Sequence, residues 1–451
     1  MWENKLSYNN ILVNGLIKCC IIKTMYIIDR IGGKYMKRIV VVFLFSIMLI
    51  TPLMNGCSKV NKKDENKKTI KFYTMHSTNE QGKIYSDIIK KYEKSNPEVK
   101  IEIQEITSDE DKLKQMISNG DVDLAGIKRN QLIEYAKSGY LMDLTDFIET
   151  NELKDRLYKI ALAYGKYNGK TYGIGDSPIA MEIYYNKDIF DKCGINEPAN
   201  LEEFISACSK LKNGGVAPFE IGALDTWTLS LYYGTITSQT TGAKVFTDLY
   251  GSDSRSMSNI NGLNNAFSIY NSVCSKCIPK DCIDINYKQC VTDFVNGKTA
   301  MIPGGTFTVK LIDEMKHSNF NYDVIKEPIK YVDEPISSIS ASAGEVLVIP
   351  SNSKNAEDAK KFLKYIFSEE AQNIYTSNGY VSSLKTANKS KNDVEKVLLE
   401  HIEKADENSI AFTDNLEPNV AENAGRILQE LFEGNIKPSE AWKKILKLSS
   451  K

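Results

Sequence analysis

The chain has 451 residues, 25% charged and 42% hydrophobic, which is a globular rather than a disordered composition and a length that suits two domains. Its 57 Lys and Arg against 58 Asp and Glu leave a formal charge of −1, which excludes net attraction to nucleic acid or to an anionic membrane surface. The three histidines, His76, His317 and His401, lie far apart with no H-E-x-x-H spacing, and no G-x-S-x-G elbow, phosphate loop or dinucleotide-binding glycine fingerprint occurs, so the common motif-borne chemistries lack their residues.

Residues 36–56 read as a signal peptide: Lys37 and Arg38 form a positive start, 39–50 is apolar except for Ser46, and Pro52 and Gly56 lead up to Cys57. The apolar run is shorter than the roughly 20 residues a membrane-spanning helix needs. Cys57 resembles the lipidated cysteine of bacterial lipoproteins, with the small Gly56 before the cut, although Met54 and Asn55 depart from the usual pattern. Residues 57–68 form a polar, Lys-rich tether. Residues 1–35 precede this complete signal and read as an upstream extension, with translation expected to start at Met36.

From Thr69 onward, short apolar runs alternate with helical patterns. Ile70 and Phe72, then Val99, Ile101 and Ile103, alternate with polar residues at the period of strands. Between them Ile84, Ile88, Ile89 and Tyr92 recur at helical spacing up to Asn96 and Pro97, and a second helix is expected after Ser108, ending at Gly120. This strand–helix order predicts an α/β domain with a largely parallel sheet and a ligand site beyond the carboxyl ends of its strands. The same grammar resumes with a strand at 183–185, a turn at 186–188, a helix capped by Asn200 with Glu203 behind it, and Gly214 and Gly215 as its stop. A strand at 345–349 follows Gly344, and Ala359, Phe362, Leu363, Ile366 and Phe367 stripe the next helix. Trp442, spaced helically with Ile445 and Leu446, is expected in the core.

Cys274, Cys277, Cys282 and Cys290 lie close together at a spacing that matches no common zinc finger. Free buried thiols, a disulfide suited to an exported protein with Cys193 and Cys208 as further partners, and a metal site all stay open.

Four stretches resemble the family 1 extracellular solute-binding proteins in their order and spacing. Asn168-Gly169-Lys170-Thr171-Tyr172-Gly173-Ile174 is followed by Tyr184-Tyr185-Asn186-Lys187-Asp188-Ile189-Phe190. Phe294-Val295-Asn296-Gly297-Lys298-Thr299-Ala300-Met301 comes next, and a late region runs from Ser353-Lys354-Asn355 to Ser368-Glu369-Glu370-Ala371-Gln372. Departures occur at Asp121-Val122-Asp123 and at Gly175, where the family commonly has proline.

The resemblance implies an α/β, type II periplasmic-binding-protein-like clamshell of two lobes, each a mostly parallel sheet flanked by helices. Lobe 1 is expected at 69–180 and 345–402 and lobe 2 at 181–344 and 403–451, with hinge crossings near Met181, Gly344 and His401. It also implies a receptor of an ABC importer that binds a solute between its lobes, docks on permease subunits, works as a monomer and needs neither cofactor nor catalysis.

A sugar cleft requires aromatic platforms for apolar C–H faces and planar polar groups for hydroxyls. Trp227 and Phe307 are the expected platforms at positions where relatives place aromatics, and Gly305 allows close backbone approach beside Phe307. Tyr73 and His76 leave the first strand toward the cleft, and Arg129 and Asn130 fall where maltodextrin-binding relatives carry polar contacts. Asp176 and Glu182 flank the first hinge as hydrogen-bond acceptors, with a cap or hinge ion pair as the plain alternative.

A carbohydrate receptor is therefore the first reading, and a receptor for a glycerophosphodiester or polyamine is the second. A secreted glycoside hydrolase is the third; it requires two carboxylates about 5–9.5 Å apart, with Asp176 and Glu182 as the available pair.

Overall fold

A computed structural model describes residues 67–76, 80–104, 110–252, 260 and 262–449. The expected signal peptide, Cys57, most of the tether and the helix cap at Ser108 lie outside them. The strands in chain order are β1 (Lys68–Tyr73), β2 (Val99–Gln104), β3 (Leu124–Ile127), β4 (Lys166–Tyr167), β5 (Lys170–Thr171), β6 (Gly173–Gly175), β7 (Pro178–Asn186), β8 (Met301–Gly305), β9 (Tyr322–Val324), β10 (Ala341–Ala343) and β11 (Val346–Val348).

The first sheet has the order β2-β1-β3-β11-β6. Its first three strands are parallel, as the β-α-β alternation dictates, with Ile70 beside Ile101 and Phe72 beside Leu124. Ile70 and Phe72 are fully buried, and Ile84, Ile88 and Tyr92 of the helix Glu80–Ser95 pack with them and with Phe362. β11 enters antiparallel between β3 and β6. β4 and β5 form a small hairpin at the start of the first family-like stretch. Its loop residues Asn168 and Gly169 both have positive φ, 47° and 78°, as a two-residue turn matched to strand twist requires.

The second sheet corrects the expectation of a mostly parallel arrangement in each lobe. β10, β8 and β9 all pair antiparallel to β7. The reason is the length of β7, nine residues that begin in one core and end in another. Ala180 packs with Ala125, Ile127 and Ala341 in the core of the first sheet, whereas Tyr184 packs with Phe294, Ile302 and Val324, and Ile183 and Tyr185 with Phe204 and Phe219. β10 runs back along the first part of β7, with Ala341 beside Ala180 and Ala343 beside Pro178.

Local signals hold where they are local. Asn200 caps the helix Leu201–Asn213 by accepting from the Glu203 amide at 3.0 Å, and the Glu203 carboxylate accepts from the Asn200 side chain and the Ala199 amide. Asn186, expected to turn the chain, instead caps the helix Lys187–Cys193 through the Ile189 amide. Trp442 is buried against Phe246 and Phe412. Val394, Val397 and Leu398 of the helix Asp393–Lys404 pack with Tyr184, Phe294 and Ile302, so this helix joins the core built on the second sheet.

Candidate functional site

β7 and β10 form the floor of two neighbouring cavities. One, of about 450 Å³, is lined by Ser177, Ile179, Ala343 and Gly344 below, by His76, Tyr380 and Val381 on one side and by Thr306, Phe307, Lys310, Leu311 and Glu314 on the other. The second, of about 300 Å³, is lined by Met181 and Ser342 below and by Trp227, Ser230, Thr413, Asp414 and Glu422 around it.

An aromatic cluster stands between them. Trp227, in the first turn of the helix Thr226–Thr240, is 44% exposed although it is one of the largest apolar side chains in the molecule. Its ring meets Tyr287 edge-on at 4.9 Å and lies 6.4 Å from Phe307, while Tyr287 and Phe307 are 6.1 Å apart. Tyr287 is buried and its hydroxyl bonds the Thr308 hydroxyl, so it serves as the fixed backing for two more accessible rings. Gly305 pairs with Met181 across the sheet, and a Cβ at this position would overlap the Phe307 ring, which explains the glycine.

His76 lines the larger cavity, and its imidazole is hydrogen-bonded to the Gly344 backbone. Burial lowers its pKa, opposed by the nearby Asp176 charge. Tyr73, at the end of β1, is half-buried, and burial together with the Glu345 charge raises its phenol pKa.

Asp176 is fully buried behind the floor. Its carboxylate accepts from the hydroxyls of Tyr85 at 3.0 Å and Tyr375 at 3.3 Å, and from the Glu345 amide at 2.9 Å. Glu182 is also buried, with its oxygens 2.9 and 3.1 Å from His401 Nδ1. Neither carboxyl lines either of the two cavities, so the pair offered for glycoside hydrolysis does not face a shared substrate space.

Arg129 and Asn130 lie apart from the aromatic cluster. The Arg129 guanidinium is buried and donates to Asn415 Oδ1, to the carbonyls of Ala163, Tyr164 and Lys166, and to the Thr247 hydroxyl. Asn130 is buried, its side-chain oxygen accepts from the Gln131 amide, and its carbonyl accepts from Tyr250. The structure thus groups His76, Trp227 and Phe307 on the cavity walls, with Gly305 against the Phe307 ring, sets Asp176 behind the floor, and engages Arg129, Asn130 and Glu182 within the protein.

Several polar groups of the site carried no sequence signal. Asp414 accepts from the Tyr164 and Ser342 hydroxyls, both at 2.8 Å, at the edge of the smaller cavity. The Lys310 ammonium lies 5.2 Å from the Tyr380 ring centre, a cation–π pair across the larger one. Glu345, read from sequence only as the opening of a strand, is a fully buried carboxyl; the glycine before it was the one hint of a constrained crossing.

The six described cysteines are free thiols, and all but Cys193 are buried. Burial pushes the thiols of Cys274 and Cys282 up to about 12, and the Cys208 thiol, hydrogen-bonded to Cys277, is raised further. Among the described residues, no group of three or more His, Cys, Asp or Glu is arranged to hold a metal ion.

Comparison with known proteins places this geometry. The model of the family described as bacterial extracellular solute-binding protein matches residues 87–399. The multiple sugar-binding protein of Streptococcus mutans is 25% identical over 369 residues, 76% of this chain and 82% of that protein. The arabinooligosaccharide-binding protein of Bacillus subtilis is 23% identical over 374 residues, 75% and 78% of the two chains. The solved structure of apo RafE from Streptococcus pneumoniae superposes with a TM-score of 0.69 at 20% identity, covering 85% of this chain and 97% of that one. A bacterial solute receptor, AcbH, superposes at 0.73 with 16% identity, covering 85% and 99%. The mixed first sheet, the long crossing strand and the floor they leave open belong to a two-lobed binding protein, and the chain is a member of the bacterial extracellular solute-binding protein family.

Proposed function

We propose that the protein is the carbohydrate receptor of an ABC importer, which captures a sugar between its lobes and delivers it to membrane permease subunits. The observation that carries this reading is the partly exposed Trp227 beside Phe307, braced by buried Tyr287 on the wall of cavities floored by the crossing strands. Water-exposed aromatic faces next to hydroxyls and carboxylates suit a ligand with apolar C–H faces and many hydroxyl groups. Relatives named for multiple sugars and for arabinooligosaccharides support the same class.

In this reading Trp227 and Phe307 stack on sugar rings, with His76 and the Gly305 backbone beside them. Lobe 1 comprises 69–180 and the stretch from 345 up to the helix Asp393–Lys404, and lobe 2 comprises the remainder, because that helix packs on the second sheet's core. A sugar touching both lobes favours their closed arrangement by its differential affinity. The mature protein is a monomer held to the outer face of the cell membrane by lipid on Cys57, as the signal-like segment before it suggests.

The test is a thermal-shift panel of galactose, raffinose and arabinooligosaccharides, with glycerophosphocholine and spermidine as the non-sugar arms. A sugar at 100 times its Kd adds about 2.7 kcal/mol of stability. A response to a non-sugar arm alone overturns the carbohydrate assignment, and release of hydrolysed sugar in the same tubes overturns the receptor assignment.

A further inference from the structure

Asp176 and Glu345 meet where the chain crosses between the sheets. The Asp176 amide donates to the Glu345 carbonyl at 3.0 Å, and the Glu345 amide returns a bond to Asp176 Oδ1 at 2.9 Å. Both side chains are fully buried. The Glu345 carboxyl runs under β3, where a Cβ at Gly126 would overlap it, and reaches the exit of β1. There it accepts from the Thr74 hydroxyl at 2.9 and 3.0 Å and from the Met75 amide at 3.0 Å. The Thr74 oxygen in turn accepts from the His76 amide at 3.1 Å, and the His76 side chain bonds the backbone of Gly344, the residue before Glu345. His76 and Gly344 both line the larger cavity.

We propose that Glu345, held by Asp176, is a positioning residue of the ligand site: it fixes Thr74 and Met75 and thereby sets His76 in the cavity wall, which links ligand affinity to the charge carried by this buried carboxyl pair. The inference rests on the receptor reading above for its ligand.

The chemistry follows from two carboxyls in one dry site. Burial, and then the charge of Asp176, push Glu345 up to about 8, and burial raises Asp176 as well. The groups facing the pair are His76 and Tyr73 from the β1 end, Tyr85 from the helix Glu80–Ser95 and Tyr375 from the helix Glu369–Ser377. None is a lysine or arginine that would neutralise a second negative charge. Below pH 8 the pair holds one proton. Above it both carboxyls are charged: the Thr74 and Met75 donors favour the ionised Glu345, but its repulsion from buried Asp176 strains the contact through which it holds the β1 exit.

The experiment measures Kd between pH 6 and 9.5 for the sugar that binds best in the panel, using wild type, Glu345→Gln, Glu345→Ala and Glu220→Gln. Wild-type affinity is expected to fall at least 5-fold as pH rises through about 8. Glu345→Gln, neutral throughout, should bind at neutral pH and show a flat profile, whereas Glu345→Ala should lose roughly 10-fold or more at every pH. Glu220→Gln alters a different buried carboxyl and should keep the wild-type profile. In parallel, NMR of the ligand-free His76 imidazole should show an inflection near pH 8 in wild type and Glu220→Gln but not in Glu345→Gln. No inflection in the wild type, or one unchanged in Glu345→Gln, overturns the proposal whether or not any sugar binds. Failure of the whole panel with the inflection present counts only against the carbohydrate assignment.

Discussion

His401 Nδ1 lies 2.9 Å from Glu182 Oε2, and His401 Nε2 lies 2.9 Å from the Lys326 carbonyl, with both side chains buried. A carbonyl accepts only, so Nε2 carries a proton, and the second proton of the pair is shared between Nδ1 and the carboxyl. Burial raises the Glu182 pKa. For His401, burial opposes charge, but the Glu182 carboxylate prevails and raises it.

Both folded-state values stand above the unfolded ones, so this pair stabilises the fold most at low pH and loses its contribution as pH rises through the raised His401 value. His401→Ala strands a buried carboxyl and should cost about 3–5 kcal/mol at neutral pH. Glu182→Gln leaves a neutral hydrogen-bonded pair and should cost about 1–2 kcal/mol. Urea unfolding at pH 6 and 8.5 reads both; equal losses in the two variants would contradict a shared proton.

Trp227 is exposed enough that its truncation should touch the ligand more than the fold. Trp227→Ala should weaken sugar binding by about 2 kcal/mol, roughly 30-fold, with less than about 1 kcal/mol lost in stability. Calorimetric titration beside thermal unfolding separates the two, and unchanged affinity would remove Trp227 from the site.

Arg129 should behave in the opposite way. Burial lowers its pKa to about 10, yet it still carries its charge at pH 7 and satisfies three carbonyls and Asn415. Arg129→Ala should cost about 3–5 kcal/mol, while the folded fraction keeps wild-type affinity for sugar. A variant that folds normally but no longer binds would return Arg129 to the ligand site.

Glu220 is buried with Oε1 lacking a hydrogen-bond partner, and burial, then the charges of Asp293 and Asp281, push it up to about 8. Its proton stays bound in the folded state above the pH at which the unfolded chain releases it, so stability falls as pH rises from about 4.5 to 8. Glu220→Gln should flatten that decline and leave the protein on the order of 1–3 kcal/mol more stable than wild type at pH 8.5, as read by denaturant midpoints. A parallel decline in both proteins would assign the pH dependence elsewhere.

Phe307 and Gly305 were legible as candidates because they follow the family-like stretch 294–301, and Trp227 because it falls where relatives place an aromatic. Arg129 and Glu182 were equally visible as polar residues at the right places in the chain, yet their side chains turn to partners far away in sequence. Nothing in the local pattern distinguishes a polar residue that faces solvent from one that closes an internal network.

The chain alone determined the β-α-β alternation of the first sheet and the cap at Asn200, since each depends on periodicity or on contacts within a few residues. Only the tertiary structure decided the antiparallel second sheet, the union of Asp176 with Glu345 across 169 positions and that of Glu182 with His401 across 219. Burial and the identity of a hydrogen-bond partner arise where distant segments meet, and they set both the charge a carboxyl carries and whether it can reach a ligand.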